Sequence, residues 1–164
     1  MEIRQRVRDV TVEDGWAQID VLQVPDRPGI AAQIFGKIAA AGLSVDMIVQ
    51  NAGVHRNTDV SFTVREEEAQ RAVDVLRGIQ DEIGAQGIEA KAQLTKIQLV
   101  GTGILSDPSS VGRLFATLAE VGVNILCIGT SEVRISCLVD GKAKTKVPKA
   151  LDAAFRVESP AVDT

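Results

Sequence analysis

The chain has 164 residues, a formal net charge of -4 and a hydrophobic fraction of 45%. That length suits two small domains better than one large core, and the acidic balance argues against nucleic acid as the main partner. Aromatic residues make up only 3% with no Tyr, so the core must be aliphatic, and no apolar run approaches the roughly 20 residues of a membrane span.

Met1-Glu2-Ile3-Arg4-Gln5-Arg6 has no apolar run of the signal-peptide kind, so the chain reads as cytoplasmic. Within residues 3–12, Val10 and Val12 alternate with polar residues and suggest a strand. Ala17 to Val24 is a second strand, in which Ala17, Ile19 and Val21 alternate with Gln18 and Asp20. Pro25-Asp26-Arg27-Pro28-Gly29 is a turn. Ile30, Ile34, Phe35 and Ile38 then follow at helical spacing, and Gly42 suits the end of that helix. Strands are expected over Ser44 to Gln50 and Thr58 to Val64, and a helix on Ala69, Ala72, Val73, Leu76 and Ile79. A short strand near Ile88 to Ala92 closes the set. The order strand, helix, strand, strand, helix, strand is ferredoxin-like, an α+β fold with an antiparallel sheet.

The same order then recurs. Lys96 to Thr102 reads as a strand, Ser109 to Val121 as a helix, Asn124 to Ile128 and Glu132 to Val139 as strands, and Lys146 to Phe155 as a helix. The repeat is visible residue by residue: Pro28, Phe35, Ala39, Gly42 and Ile48 return eighty positions later as Pro108, Phe115, Ala119, Gly122 and Ile128. Past Ile128 the offset falls to seventy-five, where Ser61 matches Ser136. The first copy therefore holds a longer hairpin loop, Ala52 to Asn57. The expected division is a first domain over 15–92 and a second over 93–157, with 158–164 as a flexible tail. The second copy has no fourth strand after Phe155, and residues 3–12 are expected to supply it.

Few residues suggest catalysis. Cys127 and Cys137 lie in apolar strands and read as small hydrophobes. His55 is the sole histidine, in a polar turn, so neither a metal cluster nor a Ser-His-Asp set assembles easily. Gly101-Thr102-Gly103 lacks the next glycine of a dinucleotide fingerprint. Lys142, Lys144, Lys146 and Lys149 fit a solvated helix face. RNA binding on this fold needs stacking aromatics, and Phe62 alone stands on a central strand. The turn before the first helix is more informative. Asp26 suits an ammonium group, the helix start after Gly29 suits a carboxylate, and Gln50 with Asn51 adds amide donors and acceptors. Together they suit a free amino acid. The same spacing also suits Asp26 as a plain helix cap and Gly29 as a packing residue.

Three strings carry a resemblance: Val24-Pro25-Asp26-Arg27-Pro28-Gly29-Ile30-Ala31, Val45-Asp46-Met47-Ile48-Val49-Gln50-Asn51 and Thr58-Asp59-Val60-Ser61-Phe62-Thr63-Val64. With Gly122-Val123-Asn124-Ile125 and Thr130-Ser131-Glu132-Val133-Arg134-Ile135-Ser136, they resemble the regulatory region of bacterial aspartokinase over roughly residues 5–156. The resemblance implies two tandem ACT domains that bind threonine, or lysine, and mediate feedback inhibition of aspartate phosphorylation. It implies no cofactor, and a chain without kinase activity of its own. It also implies a homodimer and a catalytic alpha subunit as partners. Met1 directly before the region fits a separately made beta subunit, and an excised piece of a longer chain reads the same way. Effector sites of the family form between the first ACT domain of one chain and the second of its partner. Asp26, Pro28, Gly29, Ile30, Ala31 and Gln50 match one half, and Asn124, Ile125 and Ser131 the other. Asp26-Arg27-Pro28-Gly29 becomes Ser106-Asp107-Pro108-Ser109 in the second copy, so the two helix starts are not expected to be equivalent. The alternatives are an ACT regulator of another enzyme and a small ferredoxin-like enzyme such as an acylphosphatase. The latter needs an arginine-lined anion loop, which Arg27 and Arg113 do not form in sequence.

Overall fold

The structure, a computed structural model, describes residues 7–155. They form two compact units, one contiguous over Gly15–Leu94 and one made of residues 7–14 with 95–155.

The contiguous unit begins in β1 (Asp9–Pro25), continues through α1 (Ile30–Ala40), β2 (Ile48–Ala52), β3 (Asn57–Arg65), α2 (Ala69–Arg77) and α3 (Gln80–Ile83), and ends in β4 (Gly87–Val100). Its strands lie in the order β2-β3-β1-β4, the antiparallel ferredoxin-like arrangement. Alternation along β1 sends Ala17, Ile19 and Val21 into the core, where they meet Ile30, Ile34 and Ile38 of α1 and Ala72, Val73 and Leu76 of α2. Phe35 and Phe62 meet edge to face with ring centroids 5.4 Å apart. On the sheet's other face Arg65 lies 4.3 Å over the ring of its cross-strand partner Trp16. Past α1, Gly42 takes the left-handed φ of 74° and Leu43 N–H reaches back to the Ile38 carbonyl, the hydrogen bonding of a Schellman end.

The second unit repeats the plan with α4 (Pro108–Glu120), β5 (Ile125–Ser131), β6 (Arg134–Asp140) and α5 (Lys146–Ala154). Its strand order is β5-β6-β4-β1, so the start of β1 takes the place that β4 holds in the contiguous unit. Arg8 N–H donates to the Val100 carbonyl at 2.7 Å, Thr95 Oγ1 donates to Asp14 at 2.8 Å, and Glu13 pairs with the buried Lys96 at 3.4 Å. Val7, Ile97, Leu99, Leu114, Leu118, Cys137, Leu151 and Phe155 share one core. Residues 3–6 of the strand expected over 3–12, and the tail expected over 158–164, lie outside the described residues.

Several element boundaries moved, among them β5, which runs past the expected end at Ile128 to Ser131, and β6, which starts at Arg134 and not at Glu132. The strand expected over Ser44 to Gln50 is β2 at Ile48–Ala52, since Asp46 and Met47 reach Thr63 through isolated bonds before regular pairing starts. The strands expected over Ile88 to Ala92 and Lys96 to Thr102 are one strand, β4. No Pro or Gly separates them, and Gln93 absorbs the irregularity with a φ of 57°. The strands expected over 3–12 and 17–24 likewise merge into β1, with Gly15 at φ 81° between them. The helix expected through Ile79 ends at Arg77 before Gly78, and α3 carries the chain on.

Candidate functional site

The turn between β1 and α1 is held from outside. Pro25 pairs with Asn57 of β3, and Asp26 N–H donates to the Arg56 carbonyl at 2.7 Å. Gly29 precedes α1 in the left-handed region, φ 95°, where an L side chain is disfavoured by roughly 1–2 kcal/mol. No side chain caps this helix end. Ile30 N–H donates to the Arg27 carbonyl at 3.4 Å, while the N–H groups of Ala31 and Ala32, which no carbonyl inside the helix can satisfy, are open to an anion.

Across from the turn, β2 and β3 present one face. Gln50 stands directly opposite Val60, and Ile48 and Thr58 flank that pair by strand alternation. Turn and strands enclose a cavity of about 410 Å³, within the range of small-molecule sites. The candidate residues Asp26, Pro28, Gly29, Ile30, Ala31 and Gln50 all line it. So do Pro25, Arg27, Phe35, Ile48, Thr58 and Val60, which the sequence reading left out of the site. Phe35 lies four residues after Ala31 and so on the same helix face, a signal present in the sequence. Thr58 and Val60 needed the β2–β3 register. The rim is polar, with exposed Asp26, Arg27 and Gln50, and the floor is apolar, with buried Ile30 and Val60. Thr58 Oγ1 donates to the Asn51 carbonyl at 2.7 Å, which leaves its oxygen as an acceptor.

The other three candidates belong to the second unit. Asn124 is exposed just before β5, Ile125 opens β5 opposite Val139, and Ser131 closes it opposite Arg134. None of them lines the cavity of the contiguous unit. The second helix start differs from the first. Asp107 accepts a hydrogen bond from Ser110 of α4, one turn on, so its carboxylate is engaged within its own helix end.

Nothing in the described residues resembles a catalytic centre. No group of three or more His, Cys, Asp or Glu there is placed to hold a metal ion. His55 is exposed in the β2–β3 loop. Cys127 and Cys137 are buried and not disulfide-bonded, and burial, with the neighbouring Cys127, pushes the Cys137 thiol up to about 12, far from a neutral-pH nucleophile. No helix among the described residues is long and apolar enough to cross a membrane.

The ACT domain family model matches residues 22–78 and 97–155, one stretch in each repeat. The regulatory subunit of aspartate kinase from Thermus flavus superposes with a TM-score of 0.85 at 35% identity, over 92% of this chain and 99% of that one. The chain belongs to the tandem-ACT regulatory subunits of the aspartokinase family. A structure of aspartokinase alpha and beta subunits gives a TM-score of 0.83 at 39% identity, again over 92% and 99% of the two chains. An aspartate kinase of Stutzerimonas stutzeri is 38% identical over 148 residues, which is 90% of this chain and 36% of that protein. The 164 residues thus span little more than a third of that aspartate kinase and hold the regulatory part, without the kinase domain.

Proposed function

We propose that this aspartokinase regulatory chain binds threonine in the cavity beside Asp26 and passes that occupancy to a catalytic alpha subunit as feedback inhibition of aspartate phosphorylation. The observation that carries the reading is the convergence on one cavity of a carboxylate, an uncapped helix start and an amide: Asp26, the Gly29–Ala31 backbone and Gln50. An α-amino acid has the matching charges. Its ammonium meets Asp26, its carboxylate meets the helix start, and its side chain extends toward Gln50 and Thr58. Threonine suits the short reach and the two polar groups, and lysine is the second choice. The exposed rim is what half of a shared site would leave open. Asn124, Ile125 and Ser131 of a second copy would supply the other half in a homodimer. In this reading residues 15–92 are the first ACT domain and 93–157 the second, completed by the N-terminal strand, and the protein works in the cytoplasm.

Calorimetry with each common amino acid tests the reading. Saturable heat with threonine, weaker or absent heat with lysine, and none with the others is the expected result. Binding of neither threonine nor lysine would overturn it.

A further inference from the structure

The string Thr58-Asp59-Val60 sends two side chains to the cavity and one away from it. Thr58 and Val60 line the cavity, and Asp59 does not. Asp59 instead lies opposite an irregularity in β1. Val21 pairs with Val60, but Val24 pairs with Thr58, so Leu22 and Gln23 together face the single residue Asp59. This is a β-bulge. Asp59 Oδ1 accepts the Gln23 N–H at 2.8 Å, inside the bulge. Gln23 has a φ of 49°, a left-handed backbone unusual for a residue with a side chain.

The bulge determines where the site turn arrives. It allows Val21 and Val24 both to be fully buried although they are three residues apart. It also advances β1 by one residue, so that Pro25 pairs with Asn57 and Asp26 N–H meets the Arg56 carbonyl. Without it the chain would arrive about 3.3 Å out of place with its faces exchanged, and Asp26 would leave the rim. We infer that Asp59 is a positioning residue for the cavity: by accepting the Gln23 N–H it holds the β1 bulge in the register that carries Asp26 to the helix start. The inference rests on the amino-acid reading of the cavity and assigns to Asp59 no contact with the effector.

The test is calorimetric titration of the whole chain with L-threonine and, separately, L-lysine. Asp59→Ala is expected to weaken binding about fivefold, the scale of one lost charge-assisted hydrogen bond near solvent. Asp59→Asn keeps an oxygen acceptor for Gln23 and is expected to bind within about twofold of the wild type. Gln23→Gly adopts positive φ without strain, so Gln23→Gly combined with Asp59→Ala is expected to recover most of the loss. Gln23→Val, strained at that φ, is expected to weaken binding with Asp59 intact. That last variant decides the matter if Asp59→Ala does not fold. Equal affinity in the wild type, Asp59→Ala and Gln23→Val would overturn the inference alone. So would an Asp59→Asn loss as large as that of Asp59→Ala, which would make the carboxylate's charge the active feature. A wild type that binds neither amino acid would overturn the reading of the cavity, and this inference with it.

Discussion

At the residue scale, Asp26 and Gln50 should separate in their effects. Asp26→Ala removes the partner of the effector's ammonium and is expected to weaken threonine binding by about 2 kcal/mol or more. Gln50→Ala removes a neutral hydrogen bond and should cost about 1 kcal/mol. Calorimetry on both variants checks the ranking, and unchanged affinity in Asp26→Ala would place the effector elsewhere. Cys137 predicts a pH effect. Its thiol titrates near 9.0 when unfolded and near 12 when folded. An acid held neutral by the fold favours the unfolded state once that state can ionise. Stability is therefore fully present below pH 9.0 and is lost as pH rises toward 12, on the order of 1 kcal/mol per pH unit. Urea melts across that window should show the decline, with a smaller slope in Cys137→Ala. Asp26, Gly29 and Gln50 were legible from their own chemistry beside a helix start and on a strand, and Pro28, Ile30 and Ala31 through the resemblance of the string that holds them. Thr58 and Val60 were not, because only pairing across β2 and β3 brings them to Gln50.

At the element scale, the β2–β3 loop is sensitive to a single added atom. A Cβ on Gly53 would lie 2.6 Å from the Asn57 carbonyl oxygen, and Gly53 N–H donates to that same oxygen at 2.7 Å. Gly53→Ala must therefore open the loop, with an expected loss of about 1–3 kcal/mol as for other overpacked sites. Thermal unfolding checks this, and a melting temperature equal to that of the wild type would show that the loop yields freely. The helices were readable from sequence because their apolar residues recur at helical spacing and proline or glycine marks their ends, as at Pro108, Gly42 and Gly122. Strand limits were less so. β1 and β4 each look like two strands because their apolar alternation lapses in the middle, at Glu13 to Gly15 and at Glu89 to Gln93. Hydrogen bonding continues regardless of which side chains sit there.

At the scale of the whole molecule, Ile48 on β2 and Ile128 on β5 are repeat-related and are respectively 53% and 46% exposed. Both stand on edge strands of their units, which are natural templates for association. The proposed homodimer should cover such positions. Sedimentation is expected to show a dimer at micromolar concentration, strengthened by threonine through mass action, and Ile128→Asp should move it toward monomer. A wild-type monomer under saturating threonine would count against the pairing. Adding the chain to a catalytic alpha subunit should make aspartate phosphorylation sensitive to threonine, and Asp26→Ala should remove that sensitivity.

The division of the chain into Gly15–Leu94 and the remainder also has a consequence for synthesis. The contiguous unit is complete as soon as its last residue leaves the ribosome. Residues 7–14, made before it, belong to a core whose other members begin at residue 95 and end at 155. At about 5–20 residues per second, that first segment waits several seconds or more for its neighbours, as a strand without a sheet. Asp9, Glu13 and Asp14 stand among its valines, and charge of this kind disfavours pairing of an exposed strand with another nascent chain. Asp9→Asn, which leaves the Glu13–Lys96 pair and the Thr95–Asp14 hydrogen bond in place, should therefore lower the soluble yield during translation more than it lowers the stability of chains already folded.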